Sequence, residues 1–346
     1  MLGDMGADVI KVERPGSGDE TRAWGPPFDD RGESAYYLSV NRNKLSIALD
    51  LDRAEDRDVL LALIATADVV LDNFVGGALE RRGIDPLGLV TSHERLIWCT
   101  LTGFGPDSVR PGYDFVVQAE SGWMAITGVP GGDPMKAGIA LADIIAGKDT
   151  AIAILGALVA RWREPSPPAS VRRFHTALSA SALAALVNVA QNALVSGKDA
   201  RRWGNAHANL VPYQLFAASD RHLVVAVGND SQWLTCCRVL ELEDLGEDAA
   251  LRTNAGRLAH RERVVGALAG RLAERPASEW VERLTAAGVP SGVIRGVEEA
   301  LAGSGASPLT GVLPSVPGSV RLPPPRLDEH GGRIRRELWG AFGRPA

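Results

Sequence analysis

Cysteine is scarce in this chain: three in 346 residues, Cys99, Cys236 and Cys237, two of them adjacent. Such a set builds no disulfide framework, and a reducing cytoplasm is the expected compartment. Lysine is nearly as rare, found only at 11, 44, 136, 148 and 198, so arginine carries most of the positive charge. There is no basic tract and the formal net charge is −5, which argues against nucleic acid as a partner. The six histidines (93, 175, 207, 222, 260, 330) show no metal-ligand spacing, and Cys236–Cys237 is not a C-x-x-C pair. The apolar run within 139–160 is interrupted by Asp143, Lys148 and Asp149, too polar for a membrane span. No dinucleotide fingerprint, Walker lysine motif or G-x-S-x-G elbow is found. Zinc, dinucleotide and serine-hydrolase chemistry therefore lack a sequence basis, and neither a metal nor a permanently bound cofactor is expected.

The remaining composition is ordinary for a soluble globular protein: 45% hydrophobic and 23% charged residues, in a length that suits one large domain or two. The first half alternates strands and helices. "DVIKVE" (8–13), "KLSIALDL" (44–51), "DVVLDNF" (68–74) and "RLIWCTLTGF" (95–104) read as strands, and "DRDVLLALIATA" (56–67) as a helix between two of them. That rhythm predicts an α/β fold with an open, mostly parallel Rossmann-like sheet. "REPSPPAS" (163–170) is a break, and "ALSASALAALVNVAQNALVSG" (177–197) reads as one long helix ending at Gly197. Beyond 204 the texture changes to a strand at 222–228, helices through 231–288 and a strand at 290–296. The expected plan is a large α/β domain over 1–204, a smaller α+β domain over 205–300, and a tail, 301–346, returning to the first. "MLGDMG" reads as the end of a helix stopped by Gly6, and a strand-forming chain seldom begins there, so a preceding segment is expected to be missing.

One stretch raises a chemical question. "MKAGIALADIIAGKDTAIAILGALVAR" (135–161) is a nearly apolar helix with Asp143 at its head. An aspartate there can cap the helix, its oxygen taking a hydrogen bond from a free backbone N–H. It can equally be a reactive carboxylate, since a helix N-terminus stabilises negative charge and Ala140, Ala142, Ala146 and Gly147 leave room for a ligand. Polar loops at strand ends, "ERPGSGDETR" (13–22), "DNF" (72–74), "ERR" (80–82) and "RPGYDF" (110–115), sit where open α/β sheets bind ligands. Their arginines suit a ligand with phosphates and an acyl group.

Taken in order, "LGDMGADVIKVERPGSGDETRAWGPPF", "YYLSVNRNKLSIALDL", "ADVVLDNFVGGALERRGI", "PGYDFVVQA", "ITGVPGGDPMKAGIALADIIAG" and "RRWGNAHANLVPYQLF" resemble the family III CoA-transferases over most of the chain. The wording is most similar to the succinyl-CoA-dependent dicarboxylate (hydroxymethylglutarate/glutarate) branch. The resemblance implies an interlocked homodimer and an aspartate nucleophile, aligned on Asp143. It implies coenzyme A contacts at Arg14, Asn73, Phe74, Arg81, Gly112, Tyr113 and Asp114, and a substrate loop at Gly228, Asn229 and Asp230. Acyl-CoA and a free carboxylic acid are then the substrates, exchanged through an aspartyl intermediate that must be kept from water. The chain departs from the family's pattern in two places. It lacks the family's first strand and "AGP" loop, and within 163–181, where it reads "EPSPPASVRRFHTALSAS" from Glu164, it has Pro167 and Pro168 and no acidic residue between Arg172 and Ser181 where the family usually has one.

Two other readings share the fold. An α-methylacyl-CoA racemase needs a tuned base before the Asp of "GYD", where this chain has Tyr113, whose reference pKa is about 10. A non-catalytic or truncated CoA-binding homologue would bind coenzyme A without exchange.

Overall fold

The computed structural model describes residues 1–164 and 167–343. It divides into two compact units. The first takes Met1–Trp123, Ala137–Val189 and the tail from Leu301; the second takes Met124–Lys136 and Ala190–Ala300.

In the first unit the chain runs β1 (Ile10–Glu13), α1 (Ala35–Val40), β2 (Leu45–Ala48), α2 (Ala54–Ala65), β3 (Val69–Asp72), α3 (Pro86–Ser92), β4 (Ile97–Thr102) and α4 (Asp114–Glu120). Next come the long α6 (Leu141–Arg163), α7 (Ala169–Arg172), β5 (Arg173–Ala177) and α8 (Leu178–Ala184), while the short α5 (Trp123–Ile126) and α9 (Val187–Ser196) begin in this unit and belong mostly to the second. The pairing is parallel throughout but falls into two ladders, β1–β2 and β3–β4–β5, rather than one open sheet. The tail explains where the first ladder stops. Ser46 N–H donates to His330 Nδ1 (3.3 Å), Ala48 N–H to Asp328 Oδ1 (2.8 Å) and Asn43 N–H to the Leu322 carbonyl (3.0 Å). Backbone donors along β2 thus find partners in the tail, and its far edge is covered instead of extended. Leu45, Ile47 and Leu49 are buried with Ile334 from the tail helix Gly331–Glu337.

The expected single helix over 177–197 is a correction. Residues 173–177 are a strand paired with β4 from Trp98↔Arg173 to Thr102↔Ala177. Beyond it the chain forms α8 and α9, bent by 69° at a break where Val187 has φ 41°. A β-branched residue at positive φ is costly, so the break is held by packing: Leu178 and Ala182 are buried against α6 while the chain beyond turns away. Of the break expected at 163–170, Pro165 and Ser166 lie outside the described residues. Taken alone, no described helix is long and apolar enough to cross a membrane; the bent pair α8–α9 passes that test only when joined.

The second unit carries an antiparallel sheet, β6 (Tyr213–Ala217), β7 (His222–Ala226) and β8 (Ser291–Val293), in the order 6-7-8. In β7, Leu223 and Val225 are buried while His222 and Val224 are exposed, the period of two expected of a half-covered sheet. Helices Asp230–Val239 (α10), Arg261–Leu272 and Ala277–Ala286 close its core around Trp233, Leu268 and Trp280.

Candidate active site

Helix α6 sets the site. Ala142, Ala146, Thr150 and Ile154 recur every four residues and are buried, the first two against Val117 of α4 and Leu178 and Ala182 of α8. That spacing leaves Asp143, one residue past Ala142, outside the buried seam.

Asp143 does not cap its helix. The N-cap position is Ala140, which offers no side-chain bond. The cap comes from another element: Asp114 Oδ1, at the head of α4, accepts from Ala142 N–H (2.8 Å) and Asp143 N–H (3.3 Å). Its other oxygen accepts from Gln118 Nε2 (2.6 Å), and the fully buried Gln118 takes Ala137 N–H on Oε1 (2.9 Å). Gln118 and Asp114 therefore fix the entry to α6 and leave the Asp143 carboxylate uncommitted among the described residues. The sequence-based alternative of Asp143 as a cap is overturned, because the orphan donors of α6 are already satisfied.

The electrostatics result from this placement. The surrounding protein strips solvent from Asp143, and the Asp114 charge adds to that, so its pKa rises to about 6. A phenol from α1 shares the neighbourhood. Tyr36 is pushed upward by burial and then by the charges of Asp143 and Asp114, and its ring meets Trp24 edge-on at 5.1 Å. Sequence reasoning assigned neither aromatic a role, although "YYLSVNRNK" contains Tyr36.

The other expected residues cluster at carboxyl ends of the parallel strands. Arg14 lies just past β1 and is exposed, with no side-chain partner among the described residues. Asn73 and Phe74 lie just past β3, in a turn fixed by Phe74 N–H to Asp72 Oδ1 (2.9 Å). Asp72 is itself anchored by Trp98 Nε1 (2.7 Å) and Thr100 Oγ1 (2.6 Å) from β4. Arg81 is exposed and unpaired among the described residues, and its Nη1 passes so close to Gly77 (φ 76°) that a Cβ there would come within 3.1 Å. Arg82, by contrast, is spent on Asp52 (3.0 Å) and the Ala78 carbonyl. Gly112 is a close-approach glycine: a Cβ on it would run into Gly103 Cα, so it lets the 110–113 loop lie on the turn after β4. Tyr113 is exposed beside Asp114. Gly112, Tyr113, Asp114 and Asp143 are thus brought together. No hydrogen bond among the described residues joins Arg14, Asn73, Phe74 or Arg81 to them.

Gly228, Asn229 and Asp230 belong to the second unit, at the start of α10. Asn229 Oδ1 caps that helix through Gln232 N–H (2.9 Å), Gly228 N–H donates to Gln232 Oε1 (2.8 Å), and Asp230 pairs with the buried Arg257 (2.9 Å). Among the described residues, no group of three or more His, Cys, Asp or Glu is placed to hold a metal ion.

An α/β unit with polar loops gathered at the carboxyl ends of its parallel strands, and a carboxylate at a nearby helix head, is the class of fold that binds ligands at those ends. Comparison with known proteins supplies the particular family: the chain belongs to CoA-transferase family III, whose model matches residues 1–330. It is 37% identical to succinyl-CoA:glutarate CoA-transferase of Mus musculus, over 97% of this chain and 81% of that protein. It is also 37% identical to succinate–glutarate CoA-transferase of Agrobacterium fabrum, over 98% of this chain and 90% of that one. A solved CAIB/BAIF family protein from Brucella suis superposes with a TM-score of 0.81 at 38% identity, covering 97% of this chain and 93% of the other.

Proposed function

We propose that this enzyme moves coenzyme A from an acyl-CoA, succinyl-CoA foremost, to a free dicarboxylic acid, with Asp143 as covalent nucleophile. The observation that carries the reading is the Asp143 carboxylate itself: it caps nothing, the backbone N–H groups around it are taken by Asp114, and its pKa is raised to about 6. The names of the relatives supply the dicarboxylate class. An Asp143 oxygen attacks the thioester carbonyl, the C–S bond breaks, and an aspartyl–acyl anhydride and CoA thiolate result. The thiolate attacks the aspartyl carbonyl and expels the first acid as its carboxylate. The acceptor carboxylate then attacks the aspartyl-CoA thioester and frees the thiolate. The thiolate takes the acceptor's acyl group from the new anhydride and restores the Asp143 carboxylate. No redox partner or resident cofactor enters. Arg14 and Arg81, whose guanidinium heads have no partner among the described residues, are assigned to coenzyme A phosphates, and Asn73, Phe74, Gly112 and Tyr113 to the rest of that ligand. Gly228, Asn229 and Asp230 are assigned to the acid side. Three buried free cysteines suit a reducing, cytoplasmic compartment.

The racemase alternative gains nothing: Tyr113 is exposed and Asp114 is engaged as a cap. The test is an exchange assay. Succinyl-CoA and glutarate incubated with the protein should yield glutaryl-CoA by mass spectrometry, and absence of any exchanged ester across a panel of acids would defeat the reading. The attacking form is the carboxylate, so kcat/KM should rise with pH through about 6. Asp114→Asn removes a negative neighbour and should move that limb to lower pH, while the amide oxygen still caps α6. The variant loses one hydrogen bond to Gln118, worth about 1 kcal/mol. A limb that stays put would show that Asp114 does not tune Asp143.

We also infer a second copy of the chain as partner. Helix α6 is apolar on its outer side too, where Ile152, Val159 and Trp162 are exposed, Trp162 by 85%. A monomer rarely leaves such a stripe to water, and a homodimer would cover it. Light scattering should return twice the chain mass, and Trp162→Glu should lower it; a wild type at the monomer mass refutes the dimer.

A further inference from the structure

Gln118 is fully buried, yet it is an amide beside Val117, an apolar residue of the same buried cluster. A leucine or methionine would fill the same space without burying polar atoms, so the amide needs a reason. Its partners supply one. Gln118 lies one turn beyond Asp114 on α4, and its Nε2 donates to Asp114 Oδ2 (2.6 Å). A second, longer bond from Nε2 reaches the Ile139 carbonyl (3.5 Å). Oε1 accepts from Ala137 N–H (2.9 Å). The flipped amide would set NH2 against that N–H and oxygen against a carboxylate, so the partners fix its orientation. Asp114 hands the constraint on to Ala142 N–H and Asp143 N–H. The Ile139 carbonyl also accepts from Leu141 N–H (2.8 Å). One buried side chain thus holds residues 137–139, the approach to α6, and through Asp114 the first turn of that helix.

We propose that Gln118 is a positioning residue for the transfer reaction: it locks Asp114 to the approach of α6 and so sets the direction in which the Asp143 carboxylate leaves the helix. The inference rests on the reading of Asp143 as nucleophile. A nucleophile on a helix head is aimed only as well as that head is held, and the first turn lacks the backbone partners that hold the rest. Ala140 at the N-cap offers no side-chain bond, so the head depends on Asp114. A misplacement of about 1 Å costs on the order of 100-fold in rate. Without the amide, Asp114 loses the bond that fixes its outer oxygen and is free to turn from α6. Its negative charge then recedes from Asp143, and part of what raises the Asp143 pKa recedes with it. Asp114 and, from α1, Tyr36 are the titratable groups that interact with Asp143 through charge, and α8, the other helix packed on the α6 seam, carries no titratable side chain. Loss of Gln118 therefore has a signature that plain loss of stability lacks: a lower kcat together with an acid limb moved downward.

The intact enzyme is assayed with succinyl-CoA and glutarate across the acid limb, at a temperature well below each variant's melting point. Gln118→Met, close in size and bare of donors, should lower kcat about 100-fold with the coenzyme A Kd unchanged. Its acid limb of kcat/KM should move below the wild-type value of about 6, and hydrogen exchange over 137–143 should quicken. Gln118→Glu carries the test if the methionine variant fails to fold. Burial and the Asp114 charge favour the protonated form of a carboxyl placed there. Protonated, it donates to Asp114 and accepts from Ala137 as the amide does; ionised, it repels Asp114. Its kcat should therefore fall as pH rises, a limb the wild type lacks. A methionine variant that melts lower but keeps the wild-type kcat and acid limb overturns the proposal, because Gln118 then serves stability alone. A glutamate variant whose pH profile parallels the wild type overturns it as well. Absence of exchange in the wild type defeats the nucleophile reading instead, and hydrogen exchange over 137–143 in the variants still decides whether Gln118 holds the helix head.

Discussion

Asp143→Ala is expected to abolish coenzyme A exchange while the fold survives. The structural half of this expectation rests on the cap. The N–H groups of Ala142 and Asp143 in the first turn of α6 bond to Asp114, not to the Asp143 side chain, and the buried contacts of the helix are made by Ala142, Ala146, Thr150 and Ile154. Removing the Asp143 carboxylate therefore costs no cap and opens no cavity. It should even favour the folded state above pH 6. A carboxyl whose folded pKa is raised above its ordinary value of about 3.9 contributes stability below that value and loses it as pH rises through about 6. Ionised Asp143 is thus held against its preference, and alanine removes the cost. The catalytic half is a loss on the order of 10³-fold or more, the scale seen when a covalent nucleophile is deleted. Hydroxylamine added during turnover should mark the peptide containing Asp143 in the wild type, since anhydrides and thioesters both react with it. Retention of most exchange by the alanine variant would end the nucleophile assignment.

The reason the position of Asp143 at a helix head could be read from sequence, and the cap of that helix could not, is distance along the chain. A carboxylate at the head of an apolar helix is visible within a dozen residues, and so are the strands at 10–13, 45–48, 69–72 and 97–102, whose β-branched runs end at polar turns. Asp114 reaches α6 across 28 residues, and nothing local to either segment announces the bond. The best local candidate, Asp143, is a valid cap by residue type, and the tertiary partner displaces it. The same holds for β5. "RFHTA" carries an arginine and a histidine where a buried parallel strand usually shows an apolar run. It is a strand because β4 offers an unpaired edge, and because Arg172 just before it is anchored. Arg172 donates to the carbonyls of Val90, His93 and Leu96, where α3 ends and β4 begins. The helix expected over 177–197 fails for a related reason. Its composition favours helix throughout, and only the turn of the chain at Val187 divides it. Two ladders in place of one sheet are the work of the tail, whose Asp328 and His330 reach back some 280 residues to β2.

The second large effect belongs to Arg22, which ties the 14–24 loop, whose Arg14 is proposed to contact coenzyme A, to the rest of the first unit. Its guanidinium is buried and gives Nε and Nη2 to the two oxygens of Glu13 (2.8 Å each), Nη1 to Glu33 (2.6 Å) and Nη2 to Tyr37 Oη (2.6 Å). Tyr37 passes the network on to the Pro325 carbonyl (3.0 Å), and Ser46 Oγ of β2 donates to Glu13 (2.7 Å). One cation thus joins the end of β1, the 14–24 loop, α1, β2 and the tail. Arg22→Met leaves two buried carboxylates with no cation between them, so stability should fall by about 3–5 kcal/mol, as for a buried pair broken from one side. Burial alone would push the Glu13 pKa up; the bonds from Arg22 and Ser46 outweigh it, and the net pKa lies below the ordinary value. A lowered carboxyl pKa contributes stability above its unfolded value, about 4.3, and loses it as pH falls through the folded one. The gap between wild type and variant in urea midpoint should therefore be widest near neutrality and narrow in acid. Arg14 directly follows Glu13 and Tyr36 directly precedes Tyr37, so coenzyme A affinity should fall in the same variant even at temperatures where it stays folded. Arg22→Lys, one point charge for two carboxylates, should lie between the two. A methionine variant that keeps both its urea midpoint and its coenzyme A Kd would mean that Glu13 and Glu33 are held by other groups, and that the loop carrying Arg14 does not depend on this cation.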